Sequence, residues 1–260
     1  MTHPTTVRLT VLGSGTSMGV PTIGCRCAVC RSEDPHDKRT RPSALLQYSG
    51  RNVVIDTTPD FRAQALRSGL ERLDAVLFTH AHADHILGLD DVRPFNFHQK
   101  TDVPIYGSRS TIETIQRMFR YIFDGSSPFG WTPSVKVNVV EGPVELFGLL
   151  FTPVPVLHGN LEVLGYRFGR AAYLTDFSQI PESSYSLLED LDVLFLDALR
   201  YVPHPTHCTV DQALAYVERF HPRQAFFTHI CHDLSHEATN AKLPQHVRLS
   251  YDGMQLEVRV

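Results

Sequence analysis

The chain has 260 residues, of which 42% are hydrophobic and 20% are charged, and its formal net charge is -4 with histidine neutral. This ordinary balance supplies enough apolar material for a core, and it argues against a broadly basic, nucleic-acid-binding surface. No apolar run approaches the roughly 18 residues that span a bilayer, and residues 1–7 do not resemble a secretory leader. We therefore expect a cytoplasmic protein with no membrane partner and no large nucleic-acid partner.

Short apolar strands alternate with helices along the chain, without a repeat or a clear linker. Helices are predicted over Asp60–Arg67, Thr111–Ile122 and Val210–Phe220. Residues 124–133 are predicted to form a loop, either a packed surface loop or a lid over a site. This alternation predicts an α/β layered fold, with one domain over residues 1–260. The predicted strands are Val7–Leu12, Ala44–Tyr48, Asn52–Ile55, Ala75–Phe78, Val135–Val140, Leu149–Val156, Ala172–Leu174, Val193–Leu196, Ala225–Phe227 and Leu256–Val260.

Five of the apolar runs end in a histidine or an aspartate. Strand ends of one sheet can share one rim, and polar groups placed there point into a common cleft on a rigid support. The pattern therefore predicts a site built at one edge of one sheet. The five residues are His80, His158, Asp176, Asp197 and His229.

The first of these runs continues into the dense motif HAHADH, at residues 80–85. Alternate side chains of an extended backbone share a face, so His80 and His82 can hold one ion together. A turn then allows Asp84 and His85 to reach a neighbouring position. Clustered imidazoles beside a carboxylate are typical of metal sites.

This H-x-H-x-D-H motif after an apolar strand resembles the signature of the metallo-β-lactamase superfamily. The glycine-rich turn at residues 13–16 and the strand at residues 53–56 are also similar to that superfamily. The resemblance implies a four-layer αββα sandwich and a hydrolase with two divalent metal ions. It implies that one ion is held by His80, His82 and His158, that the other is held by Asp84, His85 and His229, and that Asp176 bridges both.

Such a pair of ions suits hydrolysis, because two cations roughly 3.5–4 Å apart can clamp the attacking and departing oxygens. The ligand set contains no thiol, so both Mn²⁺ and Zn²⁺ are compatible with it. Asp56 and Asp197 are expected either to orient ligand imidazoles or to cap strand ends. Arg93 and Arg200 are candidates for phosphate contact, although structural ion pairing is the favoured interpretation.

A second metal site is indicated by the C-x-C-x-x-C motif of Cys25, Cys27 and Cys30. Three thiolates this close favour a tetrahedral ion, whose fourth ligand must come from elsewhere in the chain. His232 and Cys231 are the two candidates. Clustered thiols also suit metal binding in a reducing compartment better than a disulfide framework.

The cysteine motif, together with residues 228–232 (THICH), resembles the PhnP-type phosphodiesterases, which hydrolyse a cyclic phosphate on ribose. That resemblance implies a structural Zn²⁺ held by Cys25, Cys27, Cys30 and His232. It also implies a catalytic role for His207 as the general acid that protonates the leaving alkoxide, beside the catalytic metal ligand Asp84. Thr206 occupies a position where the resemblance predicts an asparagine, and this difference weakens the inference that the substrate is the same.

The sequence therefore predicts a metal-dependent phosphodiesterase acting on a small diester, cyclic and ribose-derived in the favoured interpretation. A tRNA 3′-processing endonuclease is one alternative, but the chain shows no long basic arm for the RNA. A thioester, lactone or β-lactam hydrolase of the same superfamily is another. A metal-binding scaffold without activity is the third. The oligomeric state stays open, with a homodimer among the options.

Overall fold

Two seven-stranded β-sheets form within residues 4–125 and 132–260, the ranges that the computed structural model describes. The helices are α1 (Ala28–Arg31), α2 (Phe61–Ser68), α3 (Ala83–Ile86), α4 (Arg93–Gln99), α5 (Arg109–Met118), α6 (Arg120–Phe123), α7 (Val210–Phe220) and α8 (His236–Asn240). The strands are β1 (Thr6–Gly13), β2 (Ser43–Tyr48), β3 (Arg51–Ile55), β4 (Ala75–Leu77), β5 (Val103–Gly107), β6 (Val135–Val139), β7 (Val144–Leu146), β8 (Leu149–His158), β9 (Leu161–Phe168), β10 (Ala171–Tyr173), β11 (Val193–Asp197), β12 (Gln224–Thr228), β13 (Val247–Leu249) and β14 (Gln255–Arg259).

The order of strands is β14-β1-β2-β3-β4-β5-β6 in the first sheet and β13-β12-β11-β10-β9-β8-β7 in the second. The run from β3 to β6 is parallel, and so is the run from β10 to β13. Parallel strands place all their carboxyl ends at one edge, which is where polar side chains from several strands can meet.

The central strands of each sheet, such as β4, β10 and β11, are buried on both faces, and this explains their near-continuous apolar runs in the sequence. In β3, Val53 and Ile55 face the core between the two sheets, whereas Val54 faces the helices. In β11, Phe195 faces the other sheet and Leu194 faces the outer helical layer. This alternation follows from the two-residue period of a strand.

Helices cover the outer face of each sheet. The first sheet packs against α2, α4 and α5, and the second packs against α7. The layers therefore run helix, sheet, sheet, helix, which confirms the predicted αββα sandwich. In the part of the chain that the structure describes, none of the helices combines the length and apolarity needed to cross a membrane.

Some predicted elements differ from the observed ones. The predicted helix Thr111–Ile122 is two helices, because Phe119 leaves the helical region at φ -104° and ψ 41°. The strands β5, β7, β9 and β13 were not predicted. In β5, Pro104 obscures the strand pattern. The predicted loop at 124–133 falls mainly on residues 126–131, which lie outside the described residues.

The two sheets are joined by hydrogen bonds at the end of β4. The hydroxyl of Tyr166 donates to the carbonyl of Phe78 at 2.8 Å, and the amide of Leu164 donates to the carbonyl of Thr79 at 3.0 Å. The prediction of a single sheet edge was therefore wrong. The run before His80 belongs to the first sheet, and the four other runs belong to the second sheet. They converge because the carboxyl ends of both sheets meet at the same edge of the sandwich.

Candidate metal centre and active site

The first ligand cluster consists of His80, His82 and His158, whose ligand atoms all lie within 4.8 Å of one another. His82 is the N-cap of α3 and keeps an extended backbone, with φ -68° and ψ 152°. The segment from His80 to His82 therefore stays extended, and both rings turn to the same side. His80 Nε2 lies only 2.9 Å from His82 Nδ1. His158 joins them from the end of β8.

The second cluster consists of Asp84, His85, Asp176 and His229. Asp84 and His85 lie in α3, immediately after the first cluster. His85 Nε2 is 3.4 Å from Asp84 Oδ2 and 3.3 Å from Asp176 Oδ1, and His229 Nε2 is 3.2 Å from Asp176 Oδ2. Asp176 Oδ2 is also 4.0 Å from His80 Nε2. Asp176 therefore lies between the two clusters.

Backbone strain marks the points where these side chains enter the cleft. Asp56, Asp176 and His229 all have positive φ, at 63°, 54° and 57°. Left-handed backbone is uncommon for residues other than glycine and clusters at functional sites. At each position it turns the chain sharply at the end of a strand, so that the side chain points over the sheet edge.

One buried carboxylate orients a histidine in each cluster. Asp56 is fully buried and accepts a 2.8 Å hydrogen bond from His85 Nδ1–H. It also accepts a 2.7 Å hydrogen bond from the Thr79 hydroxyl, whose oxygen lies 3.0 Å from His80 Nδ1. Both imidazoles thus have Nδ1 engaged by these partners and Nε2 turned towards the clusters, which is the orientation of a histidine that binds a metal ion through Nε2.

His158 and His207 are oriented in the same manner, by a carbonyl of the loop after β11 and by the carboxylate at the end of β11. The Nδ1–H of His158 donates to the carbonyl of Thr206 at 2.7 Å, and the Nδ1–H of His207 donates to Asp197 Oδ2 at 2.6 Å. The ring of His207 lies 4.6 Å from the ring of His158 and 4.5 Å from that of His229. His207 is therefore adjacent to both clusters, with Nε2 not used by Asp197.

The residues fit a pair of cations. Asp84 Oδ2, His85 Nε2 and His229 Nε2 are buried and have no hydrogen-bond partner among the described residues. Unsatisfied buried polar atoms are rare in proteins, and three that converge indicate a missing partner of positive charge. Ligand atoms about 2.0–2.2 Å from one ion lie roughly 3–3.6 Å apart. Three separations in the second cluster, at 3.2–3.4 Å, match that spacing, and the separation of 3.8 Å between His229 Nε2 and Asp84 Oδ2 is slightly wider.

The electrostatics of the second cluster favour positive charge. Burial opposes the protonated form of His229, but Asp176 and Asp84 outweigh it and raise the pKa of His229 to about 9. The pKa of His85 is raised against its burial by Asp176, Asp84 and Asp56. A divalent cation would satisfy the same carboxylates while leaving the imidazoles neutral, as ligation requires.

The cysteine motif forms a separate four-residue cluster with His232. The distances from His232 Nδ1 to the sulfurs of Cys25, Cys27 and Cys30 are 3.2, 3.4 and 3.6 Å. Tetrahedral zinc with thiolate and imidazole ligands would separate sulfur and nitrogen by roughly 3.6 Å. The Sγ of Cys231 instead accepts a hydrogen bond from the amide of Asp233 at 3.4 Å. The structure therefore favours His232 over Cys231 as the fourth member.

The thiols of this cluster differ in their environments. A hydrogen bond from the backbone amide of Cys30 is the main cause that lowers the pKa of Cys27 to about 6, and contacts with His232 and Cys25 add to it. Burial raises the pKa of Cys30 to about 11. At least one thiolate is thus available near neutral pH to begin metal binding.

Arg39 fastens the loop of His232 to the N-terminal segment. Its buried guanidinium donates to the carbonyls of Cys231 at 3.1 Å and Leu234 at 2.8 Å, and pairs with Asp37 at 2.9 Å. His232 follows His229 by three residues, so the same short loop contributes to the second ligand cluster and to the cysteine cluster. Arg39 was not identified from the sequence, because the local sequence pattern does not show whether an arginine is buried.

The remaining predicted residues lie outside the ligand clusters. Arg93 pairs with Asp90 at 3.5 Å. Arg200 donates to the carbonyls of Val202 at 3.1 Å and Pro203 at 3.4 Å. Thr79, whose hydroxyl links Asp56 to His80 by hydrogen bonds, was also not predicted from the sequence. Its position directly before His80 was the only available signal.

The fold and the clustered ligands are those of a metal-dependent hydrolase. Residues 51–230 match the model of the beta-lactamase superfamily domain, and the crystal structure of a diphosphatase from the PhnP family is 53% identical to this chain, with 98% of both chains covered and a TM-score of 0.92. The chain belongs to the PhnP family of the metallo-β-lactamase superfamily. Both predicted relationships are thereby confirmed.

Two curated relatives extend the comparison. An octanoyltransferase of Porphyromonas gingivalis is 39% identical over 254 residues, which cover 96% of this chain and 51% of that protein. A ribonuclease Z of Bradyrhizobium diazoefficiens is 31% identical over 140 residues, which cover 52% of this chain and 46% of the relative. The chain thus spans about half the length of these relatives.

Proposed function

We propose that this protein hydrolyses a small phosphoric diester, with two divalent cations and with His207 as the general acid. The observation that carries the proposal is the position of His207. Its ring lies within 4.6 Å of the rings of His158 and His229, which belong to different ligand clusters, while Asp197 holds its Nδ1. A proton donor therefore lies between His158 of the first cluster and His229 of the second cluster.

The two cations are assigned to the two clusters. His80, His82 and His158 would hold one ion, Asp84, His85 and His229 would hold the other, and Asp176 lies where it could serve both. When bound, the ions would activate a water molecule and stabilise the charge that develops on the phosphoryl group. The nitrogen and oxygen ligands accept Mn²⁺ as well as Zn²⁺. A third ion, Zn²⁺, is assigned a structural role at Cys25, Cys27, Cys30 and His232.

The role of the protein side chains follows from their hydrogen bonds. Asp197 keeps the proton of His207 on Nδ1, so Nε2 is the atom that exchanges a proton with the substrate. Water supplies the new oxygen on phosphorus, the bond between phosphorus and the leaving oxygen breaks, and His207 protonates that oxygen. The proton released by the water goes to solvent, from which His207 is protonated again.

The relationship to a PhnP-family diphosphatase supports a phosphorus–oxygen bond as the bond that is cleaved. Two types of substrate are compatible with this bond and with the site. One is the ribose-derived cyclic phosphate that the sequence suggested, and the other is a diester of diphosphate. Both contain a phosphorus atom with two ester or anhydride oxygens. A ribose alkoxide needs a proton in order to leave, whereas a phosphate monoester is a better leaving group and gains less from that proton.

The test is a substrate panel with protein loaded with Mn²⁺ or Zn²⁺. The panel contains a five-membered ribose cyclic phosphate, ADP-ribose, bis(p-nitrophenyl) phosphate, a pre-tRNA, a thioester and a lactone. We expect turnover of at least one small diester, with two ions bound in addition to one zinc by elemental analysis. Turnover of only the pre-tRNA, or of only the acyl substrates, would overturn the proposal.

A further inference from the structure

A second histidine, His204, lies beside the proposed general acid. Its ring centroid is 5.0 Å from that of His207, and the side chain is only partly buried. The sequence pattern did not single it out, and the hydrolytic step described above does not use it. Its position next to the proposed proton donor His207 places it close to where the substrate would bind.

The hydrogen bonds of His204 define which of its nitrogens carries the proton. The backbone N–H of Thr206 donates to His204 Nδ1 at 3.4 Å, and the Thr206 hydroxyl lies 3.2 Å from the same nitrogen. A ring nitrogen that accepts from a backbone amide is unprotonated, so the proton of the neutral ring is on Nε2. Nε2 has no hydrogen-bond partner in the ranges that the structure describes. Burial and the neighbouring His207 lower the pKa of His204, which favours this neutral form.

The loop that carries His204 is held in place on both sides. Arg200 donates to the carbonyls of Val202 and Pro203 before it, and the carbonyl of Thr206 accepts from His158 after it. Prolines at 203 and 205 flank the histidine and restrict the backbone further. The backbone that carries His204 is therefore held in a defined position beside the ligand clusters, as a recognition group requires.

We propose that His204 Nε2–H binds a phosphoryl oxygen of the leaving group, and that the preferred substrate is accordingly a diester of diphosphate. The proposal rests on the function proposed above. His207 delivers its proton to the leaving oxygen. Because the ring of His204 is adjacent to that of His207, we expect His204 Nε2–H to contact the atoms bonded to the leaving oxygen. In a diphosphate these atoms are a second phosphorus and its charged oxygens, whereas a nitrophenyl leaving group offers no strong acceptor there.

The reaction balances without any co-reactant. The oxygen of water becomes bonded to one phosphorus, and the bond from that phosphorus to the bridging oxygen breaks. The bridging oxygen takes the proton of His207 and leaves as part of the second phosphate monoester. His204 keeps its own proton throughout and contributes only binding, so its loss is expected to affect KM more than kcat.

The experiment compares ADP-ribose with bis(p-nitrophenyl) phosphate for the wild type and for His204→Ala, with metal content measured in each. A hydrogen bond to a charged oxygen supports roughly a 10- to 100-fold effect. We expect a fall of that size in kcat/KM for ADP-ribose, mainly through KM, and a change of less than about threefold for the nitrophenyl diester. His204→Gln, which keeps an N–H donor, is expected to recover part of the loss.

Val202→Ala is the matched control, because Val202 lies in the same loop and is 61% exposed. It should retain the activity on both substrates. An equal loss on both substrates in His204→Ala would show a structural role and overturn the inference. Hydrolysis of the nitrophenyl diester but not of ADP-ribose by the wild type would also overturn it, while the proposed function would stand. Hydrolysis of no small diester would instead refute the proposed function.

Discussion

Asp197 and His207 form a buried pair, in which the carboxylate accepts a 2.6 Å hydrogen bond from the imidazole Nδ1–H. The same oxygen of Asp197 accepts from the backbone amide of Phe177 at 3.0 Å, so the carboxylate itself cannot rotate freely. Its other oxygen and the Nδ1 of His229 are both buried without a partner among the described residues. Asp197 therefore stands between the proposed general acid and a proposed metal ligand.

Replacing His207 with alanine is expected to slow hydrolysis of diesters that have poor leaving groups by roughly 10²–10⁴-fold. A nitrophenolate leaves without a proton, so bis(p-nitrophenyl) phosphate should lose less than about tenfold. The measurement is kcat/KM on an alkyl diester and on the nitrophenyl diester, with metal content by elemental analysis. Near-normal turnover of the alkyl diester would remove His207 from the role of acid.

Replacing Asp197 with asparagine preserves the shape of the side chain and removes its negative charge. Because outer partners of this kind typically contribute 10- to 100-fold in activity or affinity, we expect a loss in that range on the alkyl diester. The loss should be smaller in a background that already lacks His207, since both residues act on the same proton. Fully additive losses in the double variant would show that Asp197 acts independently of His207.

Replacing Asp56 with asparagine is expected to weaken both active-site ions, because Asp56 orients His85 directly and His80 through Thr79. We expect roughly a 10- to 100-fold loss of affinity for each ion. Competition with a chelator, followed by elemental analysis, measures it. Asp102→Asn, at an exposed carboxylate that binds Ser134, is the control. Loss of only one ion would contradict the shared role of Asp56.

Replacing Cys30 with serine is expected to remove one zinc per chain and to leave the two active-site ions bound. The free energy of unfolding should fall by about 2 kcal/mol or more, which corresponds to roughly 4–8 °C in Tm for a chain of this size. Cys231→Ser is the matched control, because Cys231 is buried nearby but outside the cluster. Equal zinc content in wild type and Cys30→Ser would refute the structural site.

Replacing Arg39 with methionine breaks an ion pair whose side chains are 0% and 3% exposed. The change removes the arginine donor from Asp37 and from the carbonyls of His36, Cys231 and Leu234. Breaking such a buried pair costs about 3–5 kcal/mol. Urea unfolding of the metal-loaded protein measures this loss. Arg41→Met is the control, because the Arg41–Asp60 pair is 30% and 21% exposed and its removal should cost about 1 kcal/mol or less. Similar losses in both variants would show that burial is not the cause.

Much of the fold was predictable because its strands are buried on both faces. The hairpin around Ser49 and Gly50 and the helix α7 appear close to their predicted positions. The strands β5 and β9 were missed because Pro104 and Gly165 lie within them, and only neighbouring strands stabilise such segments. The strands β7 and β13 were missed because three residues are too few to show a strand period. The helix predicted at Thr111–Ile122 continued past Phe119 because periodicity alone does not reveal a local break.

In the candidate site, too, some features were predictable from local sequence and others depended on the tertiary structure. The sequence by itself indicated the candidate ligands of the HAHADH segment and of the cysteine motif, because these are local patterns whose spacing already places their side chains together. Tertiary structure alone decided that two sheets, rather than one, supply the ligands. It also decided that Asp56, Thr79 and Thr206 aim them and that His204 stands beside His207. These relationships join residues far apart in the chain, and a hydrogen bond between distant residues leaves no periodic mark in the sequence.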